Sequence, residues 1–473
     1  MERSDTVYQT YIEILKRELV PAMGCTEPIA LAYCAALAKE LLGEVPERVE
    51  VLASGNIIKN VKSVVVPNTG GRRGIEAAAA AGIVAGDAAL KLEVIASVSD
   101  EQKTELAEFL KKTPITVKPA HTGHILDITV VLEAGSHSAR VRITDEHTHV
   151  VYKEKDGEVV FQEEEKQGAE SVQEAVGDEK EEVPMTATAS EKQPGSIQNA
   201  SGQLKNNGKF DCGKSDSLDE PDYSLLTVAD IFEFAETADL SDVRVVLEKQ
   251  IQCNRAIAAE GLRGNYGANI GKTMLHCQGD DVRVRARACA AAASDARMNG
   301  CELPVVINSG SGNQGITASV PVLEYADAWG CSEEQRLRAL LVSNLITLHL
   351  KSGIGRLSAY CGAVSAGVGA GAGIAYLKTR DLNVISHTIV NALAITSGIV
   401  CDGAKSSCAA KISVAVDAGI MGLEMYENGQ QFYDGEGLVT KGVENTIRNI
   451  GVLGREGMSG TDKTIIEIMT GNC

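Results

Sequence analysis

Apolar positions recur with a helical period over residues 7–20 and again over 29–42 (IALAYCAALAKELL), where Pro28 suits the first turn of the second helix. From Arg48 the period shortens. RVEVLAS, KSVVVP, LEVIASV, ITVKPA, LDITVVLEA, ARVRIT and HVVYKE read as strands, with helices predicted at IEAAAAAGIVAGDAAL and DEQKTELAEFLKK between them. From LTVADIFEFAE onward the pattern is helical to the end, and no repeat of the solenoid kind is visible. The fold class this implies is mixed: a predominantly α-helical domain with an inserted α/β (α+β) module. The helical domain takes residues 1–44 and 224–473, the module takes 45–162, and residues 163–223 separate them.

Residues 163–223 differ from everything around them. They hold fifteen acidic and six basic side chains, a net of −9 against −19 for the whole chain, with Phe210 and Tyr223 as their aromatics. Such a stretch buries too little apolar surface to offset the entropy of ordering it, so it reads as a disordered acidic linker or insertion. Cys212 within it reads as an idle exposed thiol.

The overall composition narrows the function classes. An apolar fraction of 44% is that of a globular protein, and aromatics at 4% beside 47 glycines point to closely packed helices. The charge of −19 excludes nucleic acid as a partner, because phosphate contacts need a basic surface. Residues 353–377 are apolar, yet glycines break them, and a buried helix is expected there instead of a membrane span. The N-terminal MERSDTVYQTYIEILKREL is a charged amphipathic helix without an apolar signal core, which predicts a cytoplasmic protein. In that compartment the twelve cysteines are thiols, metal ligands or catalytic groups.

Several apparent motifs carry little chemistry. GLRGNYGANIGKT misses the spacing of a phosphate loop and is expected to be a glycine-rich loop near the active site. The alternating glycines at 367–373 suit helix packing better than a dinucleotide turn. His121, His124, His137, His147 and His149 read as strand-face or loop histidines in preference to a metal site. The cysteines Cys361, Cys401 and Cys408, in KSGIGRLSAYCGAVSAG and SGIVCDGAKSSCAAKI, are different. Soft thiolates in a small-residue helical region can converge on an iron–sulfur cluster, but intracellular cysteines are also simply small buried hydrophobes. Spacing alone leaves both readings open.

ITLHLKSGIGRLSAYCGAVSAG, SGIVCDGAKSSCAAKI and NSGSGNQGITASVPV resemble the alpha-chain domain of the oxygen-sensitive, iron–sulfur L-serine dehydratases. With PAMGCTEPIALAY at residues 21–33, the whole chain apart from 163–223 is similar to the single-chain L-cysteine desulfidases and their UPF0597-type bacterial relatives. The resemblance implies that Cys361, Cys401 and Cys408 hold a [4Fe–4S] cluster and that Cys25 is the catalytic base. It implies a lyase for a small amino acid, with L-cysteine first, L-serine second and no pyridoxal phosphate. Three protein ligands leave one iron open as a Lewis acid. Cys25 precedes a helix starting near Thr26–Pro28, whose positive end is expected to lower the thiol pKa.

The remaining candidates are substrate clamps: Asn308, Ser309 and Asn313 in NSGSGNQG, Asn68 and Thr69 in VPNTGGRRG, and Lys351, with Lys405 less supported. Ordinary turn chemistry explains the same Asn, Gly and Ser residues. The rival of another class is a non-catalytic, cluster-binding amino-acid sensor. A homodimer is left open. Cys473 reads as a frayed terminal thiol without a role. Deleting residues 163–223 and joining the ends with a short flexible linker is expected to leave turnover nearly unchanged. A large loss of soluble protein or of activity in that variant would show that the segment packs or regulates.

Overall fold

A computed structural model describes residues 1–120, 122–163 and 221–471. The expectations placed on residues 164–220 of the acidic segment, on Cys212, on His121 and on Cys473 lie outside those residues. Tyr223, placed in the disordered segment by sequence, is instead ordered in the 3-10 helix Tyr223–Leu225, with its hydroxyl donating to Glu18. Met1–Gln162 and the chain from Pro221 form one compact unit. Its strands are β1 (Pro21–Met23), β2 (Arg48–Ala53), β3 (Ile115–Pro119), β4 (Asp127–Ala134), β5 (His137–Thr144), β6 (Val150–Lys155), β7 (Glu158–Gln162) and β8 (Pro304–Val306). No helix among the described residues is long and apolar enough to cross a membrane.

Six strands form a mixed sheet in the order β3-β2-β4-β5-β6-β7, with β2 parallel to β3 and antiparallel to β4. Burial alternates along β4, where Ile128, Val130 and Leu132 point inward. The helix Thr26–Leu42 lies on that face. Its Cys34 thiol reaches the carbonyls of Val141 (3.4 Å) and Ile128 (3.8 Å). The helix Ile75–Ala85 packs against it, so close that a Cβ on Gly82 would stand 2.1 Å from Ala32 O. Two predicted strands are absent. KSVVVP contributes only a single bridge, Val65 to Arg73, because the chain turns at once through the positive φ angles of Asn68, Gly70 and Gly71. LEVIASV runs instead through the 3-10 helix Ala88–Glu93 and a turn.

The remaining two strands pair across the fold. β1 runs antiparallel to β8, with Pro21 opposite Val306, and Ile307 N donates to Val20 O at 3.0 Å. This ribbon fastens the segment before Cys25 to the helical half of the unit. There the helix Gly362–Thr379 is central, packed against Gly312–Ala328, Glu333–Ile354, Leu382–Thr396 and Ser407–Glu427. Its glycines permit backbone contact. A Cβ on Gly367 would stand 2.4 Å from Ala415 O, and one on Gly371 would stand 2.7 Å from Gly419 Cα.

Gly82→Ala is therefore expected to cost about 1–3 kcal/mol through overpacking, seen as a lower urea midpoint at unchanged slope. Gly460→Ala, with nothing within 4 Å of the added Cβ, is expected to be neutral or mildly stabilising.

Candidate active site

Cys361 is the N-cap of the central helix, and Cys408 is the second residue of Ser407–Glu427. Because these two helices touch at Gly367, Ala415, Gly371 and Gly419, their N-terminal ends lie together. Cys401 joins them through the Tyr360–Val400 bridge. Cys361 N donates to Ile399 O (3.1 Å), and Cys401 N donates to Ala359 O (2.6 Å). The loop that follows is pinned on both sides. Lys405 and Lys411 hold Asp402, and the left-handed Gly403 lies where a Cβ would meet Lys59 O at 2.4 Å. Lys405, a sequence candidate for substrate binding, is thus engaged by the loop itself.

All three cysteines line one cavity together with Cys25, Asn313 and Lys351, in about 730 Å³ of empty space with its mouth included. Glu27, Arg297, Gln314, Arg356 and Tyr360 are among the further lining groups that escaped the sequence reading. The other clamp candidates stand elsewhere. Asn68 Nδ2 donates to Ile95 O at 2.7 Å and Thr69 Oγ1 to Val66 O at 2.7 Å, which is turn chemistry. Asn308 Nδ2 bonds Asn344, and the backbone of Asn308 bridges Ser311 around Ser309, which sits at φ 48. Neither Asn308 nor Ser309 lines the cavity, although the turn they build leads into the helix Gly312–Ala328 that does.

Cys25 caps the helix Thr26–Leu42 as the sequence implies, yet its thiol is not activated there. It is 3% exposed, and its Sγ–H donates to Glu27 Oε2 at 3.0 Å. Burial and then the Glu27 charge push its pKa well above the ordinary thiol value, against a smaller opposing pull from Arg297. A helix N-terminus stabilises a charge by about 0.3–1 kcal/mol at exposed sites, less than the burial of a thiolate costs. The expected lowering is thereby corrected. Glu27 is the ionised partner. Thr26 Oγ1 and Asn60 Nδ2 also donate to it (3.1 and 3.0 Å). Burial pushes its carboxyl up, but His147, the Cys25 thiol and Arg297 hold it below its usual range.

Among the other three cysteines of the cavity, burial pushes Cys361 up to about 12, with Cys401 adding to the rise, and pushes Cys408 up as well. Lys351 is lowered to about 8 by burial, against the pull of Cys401 and Cys361. Among the described residues no group of three or more His, Cys, Asp or Glu side chains is arranged to hold a single metal ion. Three soft thiols bordering one roomy cavity do match the donor set of an iron–sulfur cluster. Burial resists separate thiolates at Cys361 and Cys408, whereas a cationic centre would neutralise them as it bound. Of the described histidines, His124 pairs with Asp145, His137 with Asp156, and His147 is buried near Glu27.

The model for the serine dehydratase alpha-chain family matches residues 89–467. The chain is 53% identical over 473 residues to a UPF0597 protein of Desulfitobacterium hafniense, with 100% of this chain and 99% of that one covered. It is 47% identical to a UPF0597 protein of Lachnoclostridium phytofermentans (98% and 100% covered) and 39% identical to one of Treponema denticola (99% and 99%).

A raised, buried Cys25 thiol should resist alkylation. At pH 8, iodoacetamide is expected to modify the exposed Cys277 at least about tenfold faster than Cys25, read by mass spectrometry. Comparable rates would show an ionised, accessible Cys25.

Proposed function

The chain belongs to the serine dehydratase alpha-chain family, and on that premise we propose that it is a lyase eliminating the β-substituent of a small amino acid. L-cysteine, giving pyruvate, ammonia and sulfide, is the first substrate, and L-serine is the second. One observation carries this reading: Cys25 and the cysteines Cys361, Cys401 and Cys408, drawn from separate elements, line the same cavity. The three cysteines are assigned as ligands of a [4Fe–4S] cluster, which when bound supplies a Lewis-acidic iron for the leaving group.

The chain's own groups do the proton chemistry. Cys25 Sγ–H already donates to Glu27 Oε2, so Glu27 takes the thiol proton and the thiolate of Cys25 takes the proton from the substrate Cα. The electron pair of the Cα–H bond forms the Cα–Cβ double bond as the C–S bond breaks and sulfide leaves with its electrons. The 2-aminoacrylate tautomerises to an imine, and water releases ammonia and pyruvate. In the resting site Glu27 is ionised, held so by His147, the Cys25 thiol and Arg297, and it is the acceptor in hydrogen-bond contact with the thiol. The walls of the cavity are largely buried, so water is kept from the carbanionic centre.

Protein purified without oxygen is expected to be brown and to bleach in air. Single Cys361→Ser, Cys401→Ser and Cys408→Ser variants should each lose iron. Cys25→Ser should keep its iron while pyruvate formation falls by about 100-fold or more. A colourless, zinc-loaded and fully active protein ends the reading, and a Cys25→Ser variant with wild-type turnover removes Cys25 as base.

A further inference from the structure

We propose that Arg297 is the clamp for the substrate's α-carboxylate, a role that rests on the reading that this cavity takes a small amino acid. Arg297 closes the helix Val282–Met298 and is 1% exposed, among the largest fully buried side chains of the protein. Its Nε and Nη2 lack any hydrogen-bond partner, although the residue lines the cavity. Arginine carries five donors and cannot shed its charge, so a guanidinium buried with these two unsatisfied is costly. The two orphaned nitrogens form one edge of the fork, the edge that grips a carboxylate side-on. Arg142 uses the same edge elsewhere in this chain, holding Asp127 through Nε at 3.1 Å and Nη2 at 2.8 Å.

A second element converges on the same point. Gly312 opens the helix Gly312–Ala328, and a Cβ there would stand 2.2 Å from Arg297 Nε and 2.6 Å from Cζ. The guanidinium therefore lies against the first turn of a 17-residue helix, whose N–H groups have no intrahelical partners. The N-cap Ser311 supplies no side-chain bond to that turn. Asn313 Oδ1 and Gln314 Oε1, from the same turn, line the cavity and are also unpartnered. Those acceptors suit the ammonium of an amino acid as well as the donors suit its carboxylate.

The other cations of the cavity are placed differently. Arg356 is paired with Glu18 and Glu146, each at 2.9 Å, and Lys59 with Asp462 at 2.5 Å. Lys351 interacts with Cys401 and Cys361 on the thiol wall. Glu27 lies within the field of Arg297, but its oxygens are already engaged by Cys25, Thr26 and Asn60. Arg297 also acts electrostatically on Cys25. A carboxylate held at Arg297 thus sets the substrate Cα, one bond away, on the Cys25 side of the cavity. The three cysteines border the same space as the held substrate.

The test is calorimetric binding to the anaerobically purified holoenzyme. The probe is L-alanine, which has the carboxylate and ammonium but no leaving group, and cysteamine, which lacks the carboxylate, is the control. Arg297→Gln is expected to weaken L-alanine roughly 10- to 100-fold, to leave cysteamine unchanged, and to raise KM for L-cysteine more than it lowers kcat. Arg297→Lys should recover part of the loss, since it restores the charge without the fork. Should Arg297→Gln fail to fold, Arg297→Lys and Gly312→Ala, whose added methyl displaces the guanidinium, carry the same comparison. The clamp is overturned if a folded Arg297 variant binds L-alanine as tightly as wild type, or if wild type does not bind it at all. Arg297-dependent binding of L-alanine by a wild type that makes no pyruvate from either amino acid would leave the clamp standing and remove the lyase reading.

Discussion

The site depends on backbone contact between two helices. Gly367 and Gly371 on Gly362–Thr379 meet Ala415 and Gly419 on Ser407–Glu427 at distances that leave no room for a Cβ on either glycine. Helices normally pack about 8–10 Å apart, and glycine at the crossing brings them to the near limit. That closeness fixes where both helices begin, and both begin with a cysteine. Replacing a small residue at this crossing would splay Cys361 from Cys408 without touching either thiol. The run of alternating glycines is therefore a positioning device, even though nothing binds to it.

The second constraint is electrostatic. The cavity holds Arg297 and Lys351 against Glu27 and several thiols, nearly all removed from water. Where the exposed pairs of this chain contribute little, each charge here changes what its neighbours can do. Arg297 helps keep Glu27 ionised, Glu27 keeps Cys25 protonated, and Cys25 in turn donates to Glu27. Thiol and carboxylate act as one unit, with the proton on sulfur donated along the 3.0 Å contact.

Much of this was readable in the sequence, and the exceptions have physical causes. The long helices and the strands β2 to β6 follow from period alone. Cys25 and the three other cysteines stood out because their types and motifs are specific. KSVVVP has a strand's composition but a turn's successor, and the left-handed Asn68 outweighed three valines. β1 and β8 are three residues each, too short to carry a period, and they exist only because distant segments meet. Arg297, in ACAAAASDARMNG, looks like an ordinary basic residue in a helix's last turn, where arginine complements the dipole. Only burial distinguishes it, and burial there is set by Gly312 from another helix. The Cys25 pKa went astray for the same reason, since the helix end is local while burial is not.

The unpartnered polar atoms make the last step. Buried donors and acceptors without partners cost about 1–3 kcal/mol each, and selection for stability alone removes them. Here Arg297 Nε and Nη2, Asn313 Oδ1, Gln314 Oε1, Asn56 Oδ1 and Tyr360 Oη all belong to residues lining one cavity. Six of the sixteen such atoms found among the described residues border this one space. On the proposed reading, six unsatisfied atoms around one space suit a small, doubly charged guest. Preorganisation of this kind needs no rearrangement when the guest arrives, because the donors and acceptors already stand fixed by helices on both sides.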